Sequence, residues 1–161
     1  MVVIVMGVVG SGKTTIGSLM ASELGWQFAD ADDFHPQSNV EKIRHGIGLT
    51  DADRRPWLES LGTQIAHWIA TDTNAVLACS ALKRAYREEL AVASQVRFVY
   101  LKGSASLIAD RLRSRRGHFA DEKILASQFV ALEEPEEAIT VEIAGAPQQI
   151  VAEIRQKLGL A

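Results

Sequence analysis

The sequence has one cysteine, no long hydrophobic run and little net charge. Cys79 cannot form a disulfide within the chain, and it is predicted to be a small buried strand residue; no Cys/His pair has zinc-finger spacing. No run of 18 apolar residues could span a bilayer, and the apolar start is too short for a signal peptide. We therefore expect a cytoplasmic protein with no membrane partner.

Charge and length narrow the possible classes further. Lys and Arg total 17 against 20 Asp and Glu, so the formal net charge is −3. This balance gives no general attraction for nucleic acid, and anions must be bound by local clusters of charge. The 161 residues, of which 47% are hydrophobic, suit one domain with a sizeable core. The predicted organisation is a single domain over residues 1–161.

A glycine-rich segment near the start, residues 7–14 (GVVGSGKT), fits the phosphate-loop pattern of Gly, four residues and Gly-Lys-Ser/Thr. It follows an apolar run and precedes a helical pattern. Glycines let successive backbone N–H groups turn toward phosphate oxygens, a lysine reaches the β- and γ-phosphates, and a Thr hydroxyl ligates Mg²⁺. The alternative is a glycine-rich turn that binds nothing. The predicted nucleotide-binding residues are Gly7, Gly10, Ser11, Gly12, Lys13, Thr14 and Thr15.

Five apolar segments alternate with helical patterns along the chain. The segments are residues 2–6, 26–29, 75–79, 96–101 and 139–143. Helix starts are predicted at a capping box of Ser38 and Glu41, in the turn containing Pro56, at the N-cap Ser104 and at Pro147. The alternation predicts an α/β fold with a five-stranded parallel sheet and helices on both faces.

Four blocks of residues resemble the gluconokinase family. They are residues 30–36 (DADDFHP) with Asn39 and Lys42, 49–58 (LTDADRRPWL), 79–83 (CSALK) with Tyr86 and Arg87, and 117–119 (GHF) with 127–129 (SQF). The resemblance covers residues 2 to about 135. It implies a nucleoside-monophosphate-kinase-like phosphate-loop fold with a mobile lid over about 111–123. It also implies ATP-dependent phosphorylation of D-gluconate to 6-phospho-D-gluconate, with Mg²⁺, and a homodimer.

Two acidic residues after the second predicted strand are candidates for the chemistry. Parallel strands bring their carboxyl ends to one edge of the sheet, where ligands bind. There Asp32 is expected to accept a proton from the substrate hydroxyl or to orient it, and Lys13 to stabilise the transferring phosphate. Asp30 is expected to hold a Mg²⁺-bound water together with Thr14. The alternative is that both acids only cap a turn.

A sugar acid carries a carboxylate, so its site needs cations. Arg54 is the leading candidate because a guanidinium binds a carboxylate through two parallel hydrogen bonds, and Lys83 and Arg87 follow it. Arg54 could instead form a helix-end ion pair with Asp51 or Asp53. His35 is expected either to bind substrate hydroxyls or to order the turn before Pro36.

A basic run at the end of a predicted helix resembles the lid of small kinases. Arg111 and Arg115 share a helix face; either could stack on adenine or contact phosphates, and Arg115 is the predicted catalytic arginine. The alternative is a solvated helix end. By resemblance, His118 and Gln128 reach the substrate when the lid closes.

Three other functions remain to be weighed. Another kinase of the same fold, specific for shikimate or a nucleoside monophosphate, would need a different acceptor pocket. A nucleotide-binding module without transfer chemistry would need only the phosphate loop, but the sequence has no guanine-recognition motif. Nucleic-acid binding has neither net positive charge nor interleaved aromatic residues to support it.

Overall fold

A computed structural model describes residues 1–116 and 119–161, with side chains described for 1–114 and 123–161. It contains the predicted five-stranded parallel sheet in the order β2-β3-β1-β4-β5. The strands are β1 (Val2–Met6), β2 (Gln27–Asp30), β3 (Ala75–Ala78), β4 (Val96–Lys102) and β5 (Ile139–Glu142).

Helices cover both faces of the sheet. They are α1 (Lys13–Leu24), α2 (Gln37–Arg44), α3 (Asp51–Ala70), α4 (Arg84–Leu90), α5 (Ala105–Arg116), α6 (Phe119–Ala131) and α7 (Pro147–Lys157), and a 3₁₀ turn spans Ala31–Phe34. Among the described residues, no helix is long and apolar enough to cross a membrane.

The central strand β1 is fully buried because side chains alternate between two hydrophobic cores. Val3 and Val5 belong to the core formed with α1 and α7. Ile4 and Met6 belong to the opposite core, which α3 supplies through its stripe Leu58, Leu61, Ile65 and Trp68. A strand buried on both faces is what a parallel sheet between two helical layers requires.

Two predicted helix starts are wrong. Ser38 lies inside α2, whose N-cap is Pro36, and Glu41 accepts a hydrogen bond from the Gln37 side chain instead of completing a capping box. Helix α3 begins before Pro56, which lies inside it. There Thr50 and Asp53 form the capping box. Because proline lacks a backbone N–H, α3 continues through Pro56 with one fewer hydrogen bond.

Two other predicted helix starts are confirmed. The Ser104 hydroxyl accepts a hydrogen bond from the Leu107 N–H, and α7 begins at Pro147. Helix α1 ends at Leu24 and is followed by Gly25, which has a φ of 69°. Cys79 is buried as predicted, but it lies one residue beyond β3.

Candidate active site

The phosphate loop connects β1 to α1 and is shaped by its glycines. Gly10 and Gly12 have φ angles of 78° and 96°, a backbone region that strongly favours glycine. A Cβ on Gly7 would lie 2.6 Å from the Ser11 hydroxyl oxygen, so the loop also needs glycine there for space. The buried Ser11 hydroxyl has no hydrogen-bond partner in the part of the chain that the structure describes. An unpaired hydroxyl inside an anion-binding loop is suited to donate a hydrogen bond to a bound phosphate oxygen.

The cavity above the loop has a volume of about 360 Å³. Its lining comes mainly from the loop after β1 and from the ends of β2 and β3. The Gly7 N–H donates to Ser80 O and so holds the loop after β1 against the end of β3. The predicted site residues that line the cavity are Gly10, Gly12, Lys13, Thr14, Thr15, Asp30, Asp32 and Gln128.

Lys13 supplies the positive charge of this cavity. Its Nζ donates to Val8 O at 3.1 Å, which holds the side chain back over the loop. Burial lowers the pKa of Lys13, while the nearby carboxylates of Asp32 and Asp30 act in the opposite direction. An ammonium group withdrawn from water and facing carboxylates is suited to bind phosphate oxygens and bridge them to the acids.

Thr14 and Asp30 form a direct contact, because Thr14 Oγ1 donates to Asp30 Oδ2 at 3.0 Å. The other carboxylate oxygen of Asp30 accepts from the backbone N–H of Asp32 and caps the 3₁₀ turn. Within the described residues, no group of three or more His, Cys, Asp or Glu could hold a metal. One hydroxyl beside one carboxylate fits Mg²⁺, which keeps several waters and uses few protein ligands.

Asp32 shares the cavity with Lys13. Partial removal from water, together with the negative charge of Asp30, raises the pKa of Asp32, and Lys13 opposes this shift. The turn carrying Asp32 is fixed from α3, because the Trp57 indole N–H donates to Ala31 O at 2.7 Å. A carboxylate whose pKa is raised is a stronger proton acceptor than an ordinary aspartate, once ionised.

His35 follows the same turn and stacks on Trp57, with ring centroids 4.6 Å apart. Its Nδ1 lies 3.2 Å from the side-chain nitrogen of Asn39. Burial lowers the pKa of His35; Asp32 raises it and Arg54 lowers it further. The charge of the predicted proton acceptor, Asp32, and that of the predicted carboxylate-binding arginine, Arg54, therefore act on His35 in opposite directions.

Arg54 and Lys83 meet at the ring of Tyr86. The Arg54 guanidinium carbon and the Lys83 Nζ lie 5.8 and 5.6 Å from the ring centroid. Asp51 is shared between them, with N···O distances of 3.9 Å to Arg54 and 3.4 Å to Lys83, and it also accepts a hydrogen bond from the Tyr86 hydroxyl. Arg54 therefore forms the ion pair with Asp51 that the sequence offered as an alternative. Asp51 is exposed, however, and it pairs with Lys83 as well. Arg54 and Lys83 together retain positive charge for an anionic substrate.

Arg87 does not join the other predicted substrate residues. Its buried guanidinium donates to three backbone oxygens, those of Ala81, Leu82 and Glu133. Ala81 has a φ of 44°, which is strained for alanine. We therefore correct its predicted role: Arg87 holds the turn that carries Lys83, with three of its five N–H donors bound to backbone oxygens.

The predicted lid residues are only partly described. Gln128 lines the cavity and accepts a hydrogen bond from Val9 N–H at 2.6 Å, so it contacts the phosphate loop. Arg111 donates to Ile143 O and lies outside the cavity wall, beside a shallow depression with Leu107 and Asp110. The Arg115 side chain and all of His118 lie outside what the structure describes.

Three residues important for this arrangement have no role predicted from the sequence. They are Asn39, Trp57 and Tyr86, all of which occur in the blocks that carry the family resemblance. Their roles depend on contacts with residues 4 to 35 positions away in the chain, as the Tyr86 to Asp51 bond shows. Helix α2 is mostly polar, so no pattern in its sequence marks Asn39 as the buried residue.

The fold and the loop together define a class. The sheet has this strand order, a Gly-Lys-Thr loop after its central strand β1, and carboxylates at the end of the edge strand β2. These features define a phosphate-loop kinase of the small-molecule type. A family model described as shikimate kinase matches residues 9–158. A solved shikimate kinase from Aquifex aeolicus aligns with a TM-score of 0.61 at 20% identity, covering 99% of this chain and 96% of that one, and shows the fold alone.

Closer relatives define the family. A probable gluconokinase from Xenopus tropicalis is 42% identical over 173 residues, covering 96% of this chain and 91% of the relative. The crystal structure of a gluconokinase from Sinorhizobium meliloti has a TM-score of 0.83 and 36% identity, covering 98% and 94% of the two chains. This chain belongs to the gluconokinase family.

Proposed function

We propose that the protein transfers the γ-phosphoryl group of ATP to the 6-hydroxyl of D-gluconate, giving ADP and 6-phospho-D-gluconate. The observation that carries the proposal is the shared cavity, in which Lys13 and the phosphate loop face Asp32. Phosphoryl transfer asks an enzyme mainly to align two oxygens and to neutralise charge. These residues supply both functions.

The reaction breaks the bond between the γ-phosphorus and the oxygen bridging it to the β-phosphate. A new bond forms between that phosphorus and the 6-oxygen of gluconate, and the hydroxyl proton passes to Asp32. Lys13 and the loop N–H groups bind the phosphate oxygens where negative charge develops. The raised pKa of Asp32 suits it to take up this proton.

The acceptor extends from Asp32 out of the cavity toward Arg54, Lys83 and His35, which do not line the cavity themselves. Arg54 and Lys83 bind the carboxylate of gluconate, and His35 hydrogen-bonds a hydroxyl of its chain. The support is that these cations outnumber the one acid between them, and that His35 lies near both Asp32 and Arg54. Arg87 is left out of the proposed site because three of its five N–H donors bind backbone oxygens and it does not line the cavity.

Thr14 and, through a bound water, Asp30 would hold Mg²⁺. When bound, the ion neutralises charge on the β- and γ-phosphates. Thr14 Oγ1 and Asp30 Oδ2 are already within 3.0 Å of each other, so both groups can reach one ion. The remaining ATP contacts are assigned to Gly7, Gly10, Ser11, Gly12 and Thr15. Arg111, which lies outside the cavity wall, is proposed to reach ATP only when the lid closes.

A lid over about 111–123 is proposed to close over the nucleotide and bring Arg115 and His118 to the cavity. Its support is the basic run in the sequence and the position of α5 and α6 on either side of residues 117–118.

A single domain, a homodimer and a cytoplasmic location are also proposed. Light scattering coupled to gel filtration measures the mass of the assembly, and a monomer contradicts the homodimer.

The proposed function is tested by comparing the rates of ADP release with several possible acceptors. Purified protein with Mg-ATP is expected to release ADP rapidly with gluconate and far more slowly with shikimate, AMP or no acceptor. The shikimate arm matters because the matching family model carries that name. Equal rates across the panel contradict the gluconate assignment, and ATP binding without turnover on any acceptor supports a binding module instead.

Lys13→Ala is the matched negative control. It is expected to lower turnover by at least about 100-fold, the scale of one lost charge-stabilising group, with an unchanged circular dichroism spectrum. Near-normal turnover in this variant would show that the loop is not the site.

A further inference from the structure

Asn39 is a buried polar residue that the reaction does not use directly. It lies on α2 and is only 2% exposed. Its side-chain nitrogen is 2.8 Å from the backbone oxygen of Asp53 on α3 and 3.2 Å from Nδ1 of His35. One amide therefore connects the helix that carries Arg54 to the ring that follows the Asp32 turn.

The chemistry of these contacts fixes the proton on His35. A backbone carbonyl oxygen only accepts hydrogen bonds, so the Asn39 atom facing Asp53 is its NH₂ group. An NH₂ group only donates, so Nδ1 of His35 must accept. In a neutral imidazole that accepts at Nδ1, the proton resides on Nε2.

We propose that Asn39 is a positioning residue that holds His35 as the Nε2–H tautomer, so that its ring offers a donor N–H to a hydroxyl of the acceptor. The donor part of this inference rests on the proposed function; the tautomer does not. Nε2 is on the far side of the ring from Asn39, and in the described part of the chain it has no hydrogen-bond partner. Stacking on Trp57 holds the ring plane.

Burial also favours a neutral His35 ring. Asp32 approaches from the 3₁₀ turn and raises the pKa of His35, while burial and Arg54 on α3 lower it by more. Lys42 on α2 and Asp53 on α3 pair with each other at 2.9 Å. A proton on Nδ1 would also face the NH₂ of Asn39, donor against donor.

NMR spectroscopy tests the tautomer directly. Long-range ¹H–¹⁵N spectra of the ¹⁵N-labelled protein at pH 7.5 distinguish a protonated from an unprotonated ring nitrogen, and His35→Gln assigns the signals. His35 is expected to be protonated at Nε2 only. His45 is an internal contrast, because its Nδ1 lies 2.7 Å from Glu41 O, which can only accept. A proton on Nδ1 of His35 would overturn the proposal.

Asn39→Asp tests the cause. The ionised carboxylate can only accept, so the proton of His35 is expected to move to Nδ1 or the ring to become charged, with a higher His35 pKa. Above the raised His35 pKa the neutral ring carries its proton on Nδ1 and has lost the Nε2 donor. KM for gluconate measured there should rise about tenfold, the loss of one hydrogen bond, while KM for ATP stays unchanged. An unchanged tautomer in the folded variant contradicts the proposal.

A second pair of variants avoids disturbing Asn39, in case Asn39→Asp does not fold. The amide nitrogen of glutamine can occupy the place of Nε2, whereas that of asparagine falls near Nδ1. His35→Gln is therefore expected to keep a KM for gluconate at least about threefold lower than His35→Asn, and His45→Gln to leave it unchanged. Equal losses in the two His35 variants would overturn the donor role. If no acceptor is phosphorylated but the Nε2–H tautomer is found, the proposed function fails and the tautomer assignment stands.

Discussion

Gln128 on α6 accepts a hydrogen bond from the backbone N–H of Val9 at 2.6 Å, although the two residues are 119 positions apart. The loop N–H is thereby held by a side chain of the helix that follows residues 117–118. Gln128 also lines the cavity that contains Lys13 and Asp32. The contact therefore links α6, whose first residues belong to the proposed lid, to the phosphate loop.

The first prediction follows from this contact. Gln128→Ala is expected to raise KM for ATP or lower kcat by about three- to tenfold, the range for one lost hydrogen bond. Gln128→Glu keeps an acceptor but adds negative charge beside the phosphates, so KM for ATP should rise further. Steady-state kinetics with each substrate varied in turn measures both effects.

Ser127→Ala is the matched control, because the exposed Ser127 hydroxyl donates only to Ile124 O within its own helix. It should leave both KM values unchanged. If Gln128→Ala raised KM for gluconate alone, Gln128 would contact the acceptor, as the family resemblance predicts, and not act through the loop.

The second prediction concerns pH. Asp32 must be ionised to accept a proton, and its pKa is raised by partial burial and by Asp30. Activity is therefore expected to fall, as pH decreases, at a higher pH than an ordinary aspartate would cause. Asp30→Asn removes the main repelling charge, so the acidic limb of kcat/KM should move to lower pH, whatever the loss in rate.

Asp33→Asn is the comparison for this measurement, since Asp33 makes the smallest contribution to the raised pKa of Asp32. Its acidic limb should move less than that of Asp30→Asn. Coincident limbs for the wild type and Asp30→Asn would show that Asp32 does not control the profile.

The third prediction tests the cations beside Tyr86. Arg54→Lys keeps the charge but loses the planar pair of donors, so KM for gluconate is expected to rise about tenfold with KM for ATP unchanged. Arg55→Lys is the control, because Arg55 is exposed and pairs with Glu89 on α4. If Arg54→Lys and Arg55→Lys had the same KM for gluconate, Arg54 would be an ordinary ion-pair residue that does not bind the substrate.

The fourth prediction concerns stability. Arg87→Met leaves the carbonyls of Ala81, Leu82 and Glu133 without their charged donor. We expect the free energy of unfolding to fall by about 2 to 4 kcal/mol, as for other broken buried networks. Arg84→Met should cost less than about 1 kcal/mol because the Arg84 to Glu88 pair is exposed. Urea denaturation of both variants measures the difference.

Local sequence signals were sufficient for the phosphate loop and for most elements. The loop pattern from Gly7 to Thr14 is contiguous, so its conformation depends on its own glycines and on the strand and helix that flank it. The start of α3 was misplaced because Pro56 is a strong local signal, yet the Thr50 and Asp53 capping box begins the helix earlier. The helix begins at the capping box because Thr50 and Asp53 exchange two hydrogen bonds there, whereas Pro56 is tolerated inside the helix.

The role of Arg87 shows what such signals leave out. The residue type and its place in a family block pointed to a ligand, but its partners are backbone oxygens, one of them on Glu133. Backbone oxygens are present at every position and carry no sequence signal. Only the approach of two distant segments shows that this guanidinium is occupied.

Periodicity and contiguous motifs are enough to predict that strand β1 ends in a phosphate-binding loop, that five strands alternate with helices, and that the chain resembles gluconokinases. Only the folded chain shows that Asp32 shares a cavity with Lys13, that Asn39 contacts both His35 and Asp53, and that Gln128 holds Val9. These relationships depend on the order of strands in the sheet and on helix packing, because both bring together residues that are far apart in the chain.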